Sequence, residues 1–241
     1  MSKHIASISF GKDSLAMLLL LIEKEYPLNE VVFYDTGMEF QAIYNLRDKI
    51  KPLLSDKGIK YTELQPKNSF SWDMYERVVN KKDGSVQYGY HWCGGKTRWG
   101  TTKKLEAIDK YCIGAIQSVG IANDEFRRIP NPLPDNKFYP LFNWGITELQ
   151  ALEYCRDKGY YWKEGIIDLY EILDRVSCWC CGNKNLKELR NMYNYLPEYW
   201  DRLKFLQTMI PRPFYGNKTI FDLEERFKRE AEQMIMFEEA I

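Results

Sequence analysis

Ser9-Phe10-Gly11-Lys12-Asp13-Ser14 follows the apolar, strand-like run Ile5-Ala6-Ser7-Ile8 and leads straight into Leu15-Ala16-Met17-Leu18-Leu19-Leu20-Leu21-Ile22. The second run is too long and too leucine-rich for another strand and reads as a buried helix. The chain therefore makes a strand, a tight polar loop and a helix start. The first amides of a helix lack intrahelical partners and lie at the positive end of its dipole, so such a junction is a seat for phosphate. Gly11 permits close backbone approach, Lys12 adds positive charge, and Ser9, Asp13 and Ser14 add hydrogen-bonding groups.

Two familiar phosphate loops are excluded. A Walker loop has Gly six residues before its Lys, where this chain has Ala6, and it follows Gly-Lys with Ser or Thr, where this chain has Asp13. The dinucleotide fingerprint lacks its second and third glycines. The stretch resembles the pyrophosphate loop Ser-x-Gly-x-Asp-Ser of the adenine-nucleotide α-hydrolase superfamily, whose members cut nucleotides between the α and β phosphates. Taken alone, the six residues also read as a polar turn of an unrelated α/β domain.

The 241 residues are enough for one large domain or a core with an appendage. Thirty-four basic residues balance 34 acidic ones, so no global field favours nucleic acid or an anionic membrane, and any polyanion site is local. The apolar run at 15–22 is too short to span a bilayer and has no signal-peptide flanks. A cytoplasmic protein is expected. There, six cysteines read as metal ligands, redox thiols or core residues rather than a disulfide framework.

Further along, Glu30-Val31-Val32-Phe33-Tyr34 reads as a strand ending in Asp35-Thr36-Gly37, where an acidic residue is placed to meet ribose or a metal, or to cap the next helix from about Phe40 to Leu54. A third strand is expected near Tyr61–Leu64. Residues 66–91 read as a helix and a mobile loop, with a turn at Lys82-Asp83-Gly84-Ser85. Trp92-Cys93-Gly94-Gly95-Lys96-Thr97-Arg98-Trp99 precedes a helix with Lys103 and Lys104, a basic stretch that is either an anion site or a solvated face. Ala115–Val119 reads as a strand delivering Gly120-Ile121-Ala122-Asn123-Asp124-Glu125-Phe126-Arg127-Arg128. Thr147-x-x-Gln150 is a capping box for a helix to about Asp157. Alternating strands and helices predict an α/β fold: a parallel twisted sheet with helices on both faces, its ligand beyond the strands' carboxyl ends. Residues 1–158 form the expected nucleotide-binding domain. Residues 159–241, with helical periodicity at 184–196 and 219–239 and no convincing strand, form the expected helical, cysteine-bearing appendage.

Four segments, Ser9–Ser14, Asp35-Thr36-Gly37-x-x-Phe40, Gly120-Ile121-x-x-Asp124-Glu125-x-x-Arg128 and Tyr139-Pro140-Leu141-x-x-Trp144, stand in the order and spacing of the phosphoadenosine-phosphosulfate reductase family. The chain resembles that family over about residues 1–150. Within it, Trp92-Cys93 before a basic stretch and the late cysteine cluster are similar to the branch near the DNA-phosphorothioation sulfur enzyme. The resemblance implies adenosine held at the strand ends, with Ser9, Gly11, Lys12, Asp13, Ser14, Asp35, Thr36, Gly37, Gly120, Asp124 and Glu125 binding the nucleotide. Sulfonucleotide reductases carry their attacking cysteine in a late Glu-Cys-Gly-Leu-His motif, whereas the last cysteine here is Cys181.

Ser177-Cys178-Trp179-Cys180-Cys181-Gly182 supplies a Cys-x-x-Cys pair, and Cys93 is the natural third ligand, stapling the appendage to the nucleotide domain. Vicinal Cys180 and Cys181 suit a [4Fe–4S] cluster better than one small ion, while a closed zinc staple is the alternative. Cys180 is either a fourth ligand or a free sulfur carrier. Cys112 and Cys155 read as packing residues. With two histidines, a His-based triad has little material. The expected activity is ATP cleavage at the α-phosphate to activate an acceptor for sulfur transfer, with Lys12, Asp13, Arg127, Arg128 and Cys180 in the chemistry and Mg²⁺ brought in by Asp13 or Asp35. A sulfonucleotide reductase and an inactive, zinc-held nucleotide-binding module are the alternatives. A sulfur-donor protein is implied, and the acceptor stays open between tRNA, DNA and a small molecule.

Overall fold

The computed structural model describes residues 2–238. In chain order it contains β1 (Lys3–Ile8), α1 (Lys12–Glu23), β2 (Glu30–Tyr34), α2 (Gln41–Asp56), β3 (Lys60–Leu64), β4 (Val78–Asn80), β5 (Val86–Tyr88), α3 (Trp99–Tyr111), β6 (Ala115–Val119), β7 (Lys137–Phe138), α4 (Pro140–Asn143) and α5 (Glu148–Asp157). There follow β8 (Lys163–Glu164), β9 (Ile167–Asp168), α6 (Leu169–Ile172), α7 (Leu186–Tyr195), α8 (Pro197–Met209) and α9 (Ile220–Glu238). A π-helical turn covers Trp72–Glu76 and a 3-10 turn covers Asn123–Arg128. Among the described residues no helix is long and apolar enough to cross a membrane.

The chain divides into two compact units, one of Met1–Lys67 with Thr102–Asp168 and one of Asn68–Thr101 with Leu169–Ile241. The first is built on a five-stranded sheet of order β3-β2-β1-β6-β7, parallel throughout. Strand β2 is buried along its whole length, as a central strand covered on both faces must be. The chain steps from β1 outward to β3, then returns to the other side of β1 as β6. Right-handed crossovers therefore place α1 and α2 on one face and α3 on the other. Ile108 and Cys112 of α3 pack on Ile5, Val32 and Tyr34, while the alternating Ala6, Ile8, Val31 and Phe33 are buried on the opposite face. The sheet's order reverses at β1, so the loops after β1 and β6 open a crevice between them at the carboxyl edge.

At the opposite edge Glu30 is fully buried and ion-paired to Lys3 at 2.5 Å and Lys60 at 3.2 Å, with hydroxyls of Tyr111 and Thr62 on the same carboxylate. Burial works against its charge, but Lys3, Thr62, Tyr111 and Lys60 together hold the carboxyl down at about 2.

The second unit carries the antiparallel hairpin β4–β5 and helices α6 to α9. Residues 66–91, expected as a helix and loop, are a π-helical turn and this hairpin, with Lys82-Asp83-Gly84-Ser85 in the reversal between its strands. Strands are also present after residue 160, where none was expected: β8 and β9 pair over two residues each. Both hairpins are too short for a period-two pattern to register. The units also differ from a single boundary at 158, because residues 68–101 group with the C-terminal helices.

Candidate functional site

Strand β1 enters the phosphate loop through Phe10, whose φ of +57° is unusual for a bulky residue. Burial holds it there: Phe10 is wholly inaccessible, its ring meets Phe33 edge-on at 5.1 Å, and its carbonyl accepts the Trp162 indole N–H at 2.7 Å. The backbone N–H of Ser9 donates to Ser14 Oγ at 3.2 Å, and Ser14 Oγ lies 3.1 Å from the Gly11 carbonyl, which tightens the loop against the helix it starts. Gly11 has φ −73° and ψ 165°, a conformation open to any residue. The N-cap residue of α1 is Gly11, which has no side chain of its own to cap the first turn.

Gly120, after β6, lies directly against this loop. A Cβ there would fall 2.8 Å from Ser14 Cα and 3.0 Å from the Asp13 carbonyl oxygen. The glycine thus lets two strand-end loops touch backbone to backbone. The following 3-10 turn carries Asp124, whose Oδ1 accepts the Glu148 amide at 3.0 Å and so secures the start of α5. The expected capping box is formed, with Thr147 and Gln150 each bonding the other's backbone.

Lys12 extends along this seam with its side chain only 9% exposed, 2.6 Å from Glu148 Oε1 and 3.3 Å from Asp13 Oδ2. Carboxylate oxygens of Asp13, Glu125 and Glu148 all lie within 4.8 Å of one another. Burial, then Glu148 and Glu125, push the Asp13 carboxyl up to about 6 against the pull of Lys12, and its Oδ1 is buried without a hydrogen-bond partner. Arg128 donates to Glu125 at 2.5 Å, and Arg127 lies over the Phe126 ring at 5.9 Å.

After β2, Asp35 Oδ1 accepts the Gly37 amide and the Tyr44 hydroxyl, each at 2.8 Å, and Gly37 takes φ +73° to close the turn. Thr36 Oγ1 lies 3.3 Å from Glu39 Oε1 and accepts the Met38 amide at 3.2 Å. Asp35 and Thr36 therefore shape the turn at the strand end.

In the second unit two cysteine loops abut. The Gly182 amide donates to the Cys93 carbonyl at 2.9 Å and the Gly95 amide to Asn183 Oδ1 at 2.6 Å. Cys178 and Cys181 share one turn, closed by Cys181 N–H to the Cys178 carbonyl at 3.0 Å. Trp92, 2% exposed, anchors its loop with an indole bond to the Arg212 carbonyl at 2.9 Å and an edge-on contact with Phe214 at 4.7 Å. The Cys93 thiol is pushed up by burial and by the nearby Cys181, while the amides of Thr101 and Gly100, at the start of α3, favour its thiolate. Cys178 and Cys181 are half-buried, but Cys180 is 1% exposed, so in this conformation it cannot meet a substrate.

Single-zinc coordination brings thiolate sulfurs to about 4 Å from one another. Among the described residues only the carboxylate trio has that spacing. Cys112 and Cys155 are buried, with thiols pushed up by burial to about 11 and about 12, as packing residues would be. His91 adopts φ +63° in its turn, with its imidazole lowered by burial. In the basic stretch Lys96 and Arg98 are exposed, and Lys104 approaches Glu39 at 3.8 Å.

The family model of the phosphoadenosine phosphosulfate reductase domain matches residues 3–161. The chain belongs to this family. It is 27% identical over 209 residues to the uncharacterised protein MJ0066 of Methanocaldococcus jannaschii, covering 82% of this chain and 40% of that protein's length. It is 26% identical over 188 residues to the adenosine 5'-phosphosulfate reductase of Staphylococcus epidermidis, covering 72% of this chain and 69% of the reductase. The U34-tRNA thiolase NcsA from Methanococcus maripaludis, solved with its [4Fe-4S] cluster, aligns with 96% of this chain and 72% of its own at 13% identity and a TM-score of 0.46.

In this member of the phosphoadenosine phosphosulfate reductase family, the structure brings Ser9–Ser14, Gly120 and the turn of Asp124 and Glu125 together around Lys12. Glu148 is the residue that sequence reasoning missed. It stands 136 positions from Lys12 and belongs to none of the motifs; the faint signal was its place directly after the capping threonine of α5.

Proposed function

We propose that this protein binds ATP at Ser9–Ser14, cleaves it between the α and β phosphates, and uses the adenylate to activate an acceptor for sulfur transfer. The observation carrying the reading is Lys12 at the start of a helix whose N-cap is a glycine, in a loop held closed by Gly120 and Ser14. An acceptor oxygen attacks the α-phosphorus and the bond to the β-phosphate oxygen breaks. Pyrophosphate leaves against the loop amides and Lys12, and the adenylated carbon then gains a C–S bond as AMP departs. The sulfur comes from a partner protein, either as hydrosulfide or as a persulfide whose S–S bond is then cleaved by a second thiol, which takes the carrier sulfur as a disulfide. Arg127 and Arg128, on the turn that carries Glu125, would offset developing negative charge. The carboxylates of Asp13, Glu125 and Glu148 have the hard oxygens and spacing that would hold Mg²⁺, which would shield the phosphates when bound. Cys93, Cys178 and Cys181 would hold an iron–sulfur centre, which when bound would supply an open iron or a site for sulfur. A tRNA base, DNA and a small molecule remain the candidate acceptors.

A second reading, favoured by the 26% identity to the staphylococcal reductase, is reduction of a sulfonucleotide with release of sulfite. Pyrophosphate release from ATP, and sulfite release from adenylyl sulfate and its 3'-phosphorylated form, separate the two. Lys12→Ala removes a charge-assisted contact worth about 1.5–3 kcal/mol, so ATP affinity should fall by about 10- to 100-fold in calorimetry. Unchanged affinity would remove the nucleotide site from this loop.

A further inference from the structure

Lys12 is the cation that a polyphosphate would need in this loop, and a carboxylate already engages it. Glu148 Oε1 is 2.6 Å from Lys12 Nζ, closer than Asp13 Oδ2 at 3.3 Å. The carboxylate is presented by a fixed element: α5 packs against α1, its first amide is bonded to Asp124 Oδ1 at 3.0 Å, and its capping box is complete. Phosphate and carboxylate make the same kind of charge-assisted bond to an ammonium group, so the two compete for the same donor.

We infer that Glu148 is an internal competitor of the nucleotide's phosphates: it holds Lys12, must surrender it when a polyphosphate binds, and thereby sets the affinity of the site. The inference rests on reading Ser9–Ser14 as the nucleotide loop. It makes Glu148 a positioning residue that acts through Lys12, and it gives Lys12 two alternative partners within one crevice. Once Lys12 turns away, Glu148 is left beside Asp13 and Glu125, a like-charged trio that opposes the exchange. Weakly held anions that cannot pull Lys12 from Glu148, such as inorganic phosphate, are disfavoured relative to a polyphosphate that reaches both the lysine and the amides of α1.

The test is a double-mutant cycle read by calorimetry with pyrophosphate and with ATP, in EDTA, on the full chain. Because Glu148 is partly exposed, the gain is limited: Glu148→Gln should bind both ligands about 3- to 10-fold more tightly than wild type. The gain should vanish when Lys12→Ala is already present. Glu148→Asp, whose carboxylate is one methylene shorter, should give part of the gain and provides a second variant in case Gln disturbs the start of α5. An equal gain in the Lys12→Ala background would show simple charge repulsion and overturn the competition. Unchanged or weaker binding by Glu148→Gln and Glu148→Asp, with Lys12→Ala still damaging, would overturn it while leaving the nucleotide loop in place. If Lys12→Ala also binds normally, the loop assignment and the inference fall together.

Discussion

Asp13 shows how a residue legible in a motif acquires its chemistry from residues the motif does not contain. The pattern Ser-x-Gly-x-Asp-Ser identifies it, but its environment comes from burial and from Glu125 and Glu148, which arrive on distant segments. Raised from 3.8 to about 6, its carboxyl keeps a proton in the folded protein that the unfolded chain has released. The associated stability is fully present below pH 3.8 and is lost as pH rises through about 6. At pH 8 the ionised, buried group costs up to about 3 kcal/mol, with Lys12, Glu148 and Glu125 all facing it. Asp13→Asn should therefore raise the melting temperature above that of wild type at pH 8 and lose the advantage near pH 4. An equal difference at both pH values would show that Asp13 is not the group responsible. Lys12 was equally legible from its place after Gly11. Its partner was not, because sequence spacing carries no information about which helix start will fold back onto the loop.

At the scale of elements, the sheet and its principal helices were readable because each long element has one dominant pattern: unbroken apolar residues for β2, leucine-rich length for α1, and a capping box for α5. The hairpins β4–β5 and β8–β9 were not, because strands of two or three residues leave no period to detect. Close approaches between elements were equally hidden, since a glycine in sequence does not say what lies against it. Gly120 and Gly94 are the two instances that matter. A Cβ on Gly120 would press on Ser14 Cα at 2.8 Å, so Gly120→Ala should displace the phosphate loop, costing about 1–3 kcal/mol, and weaken ATP binding. A Cβ on Gly94 would sit 2.5 Å from the Gly182 carbonyl carbon and 2.9 Å from the Asn183 amide, in rigid backbone. Gly94→Ala should thus force the two cysteine loops apart, costing about 1–3 kcal/mol, while leaving nucleotide affinity intact. Denaturation and ATP calorimetry on both variants check this: both should lose stability, but only Gly120→Ala should lose ATP affinity, and an equal loss of affinity in Gly94→Ala would contradict it.

For the whole molecule, the division into units decides what the cysteines can do. Sequence reasoning placed Cys93 with the nucleotide domain because it precedes α3, and so predicted a staple between domain and appendage. The structure groups residues 68–101 with 169–241 instead, through pairings such as Trp92 with Phe214 that span more than a hundred residues and leave no local trace. Cys93, Cys178 and Cys181 consequently share one unit, and a centre held by all three would tie two of its own segments together. A shared centre needs every ligand, so Cys93→Ser and Cys181→Ser should each remove most of the metal and sulfide from anaerobically purified protein. Each should also speed amide exchange around residues 92–95 and 178–183, where the loops bond one another. Because the Lys12 loop belongs to the other unit, pyrophosphate affinity should be unchanged in both variants, although sulfur transfer should fail. Cys112→Ser and Cys155→Ser should spare the metal. Cys180→Ser separates ligand from packing residue: loss of metal marks a ligand, whereas full metal with lowered stability marks the buried packing residue that its exposure suggests. Full metal content after Cys93→Ser would show that Cys178 and Cys181 act without it. The contact between the two loops would then serve only to hold the second unit's segments in register.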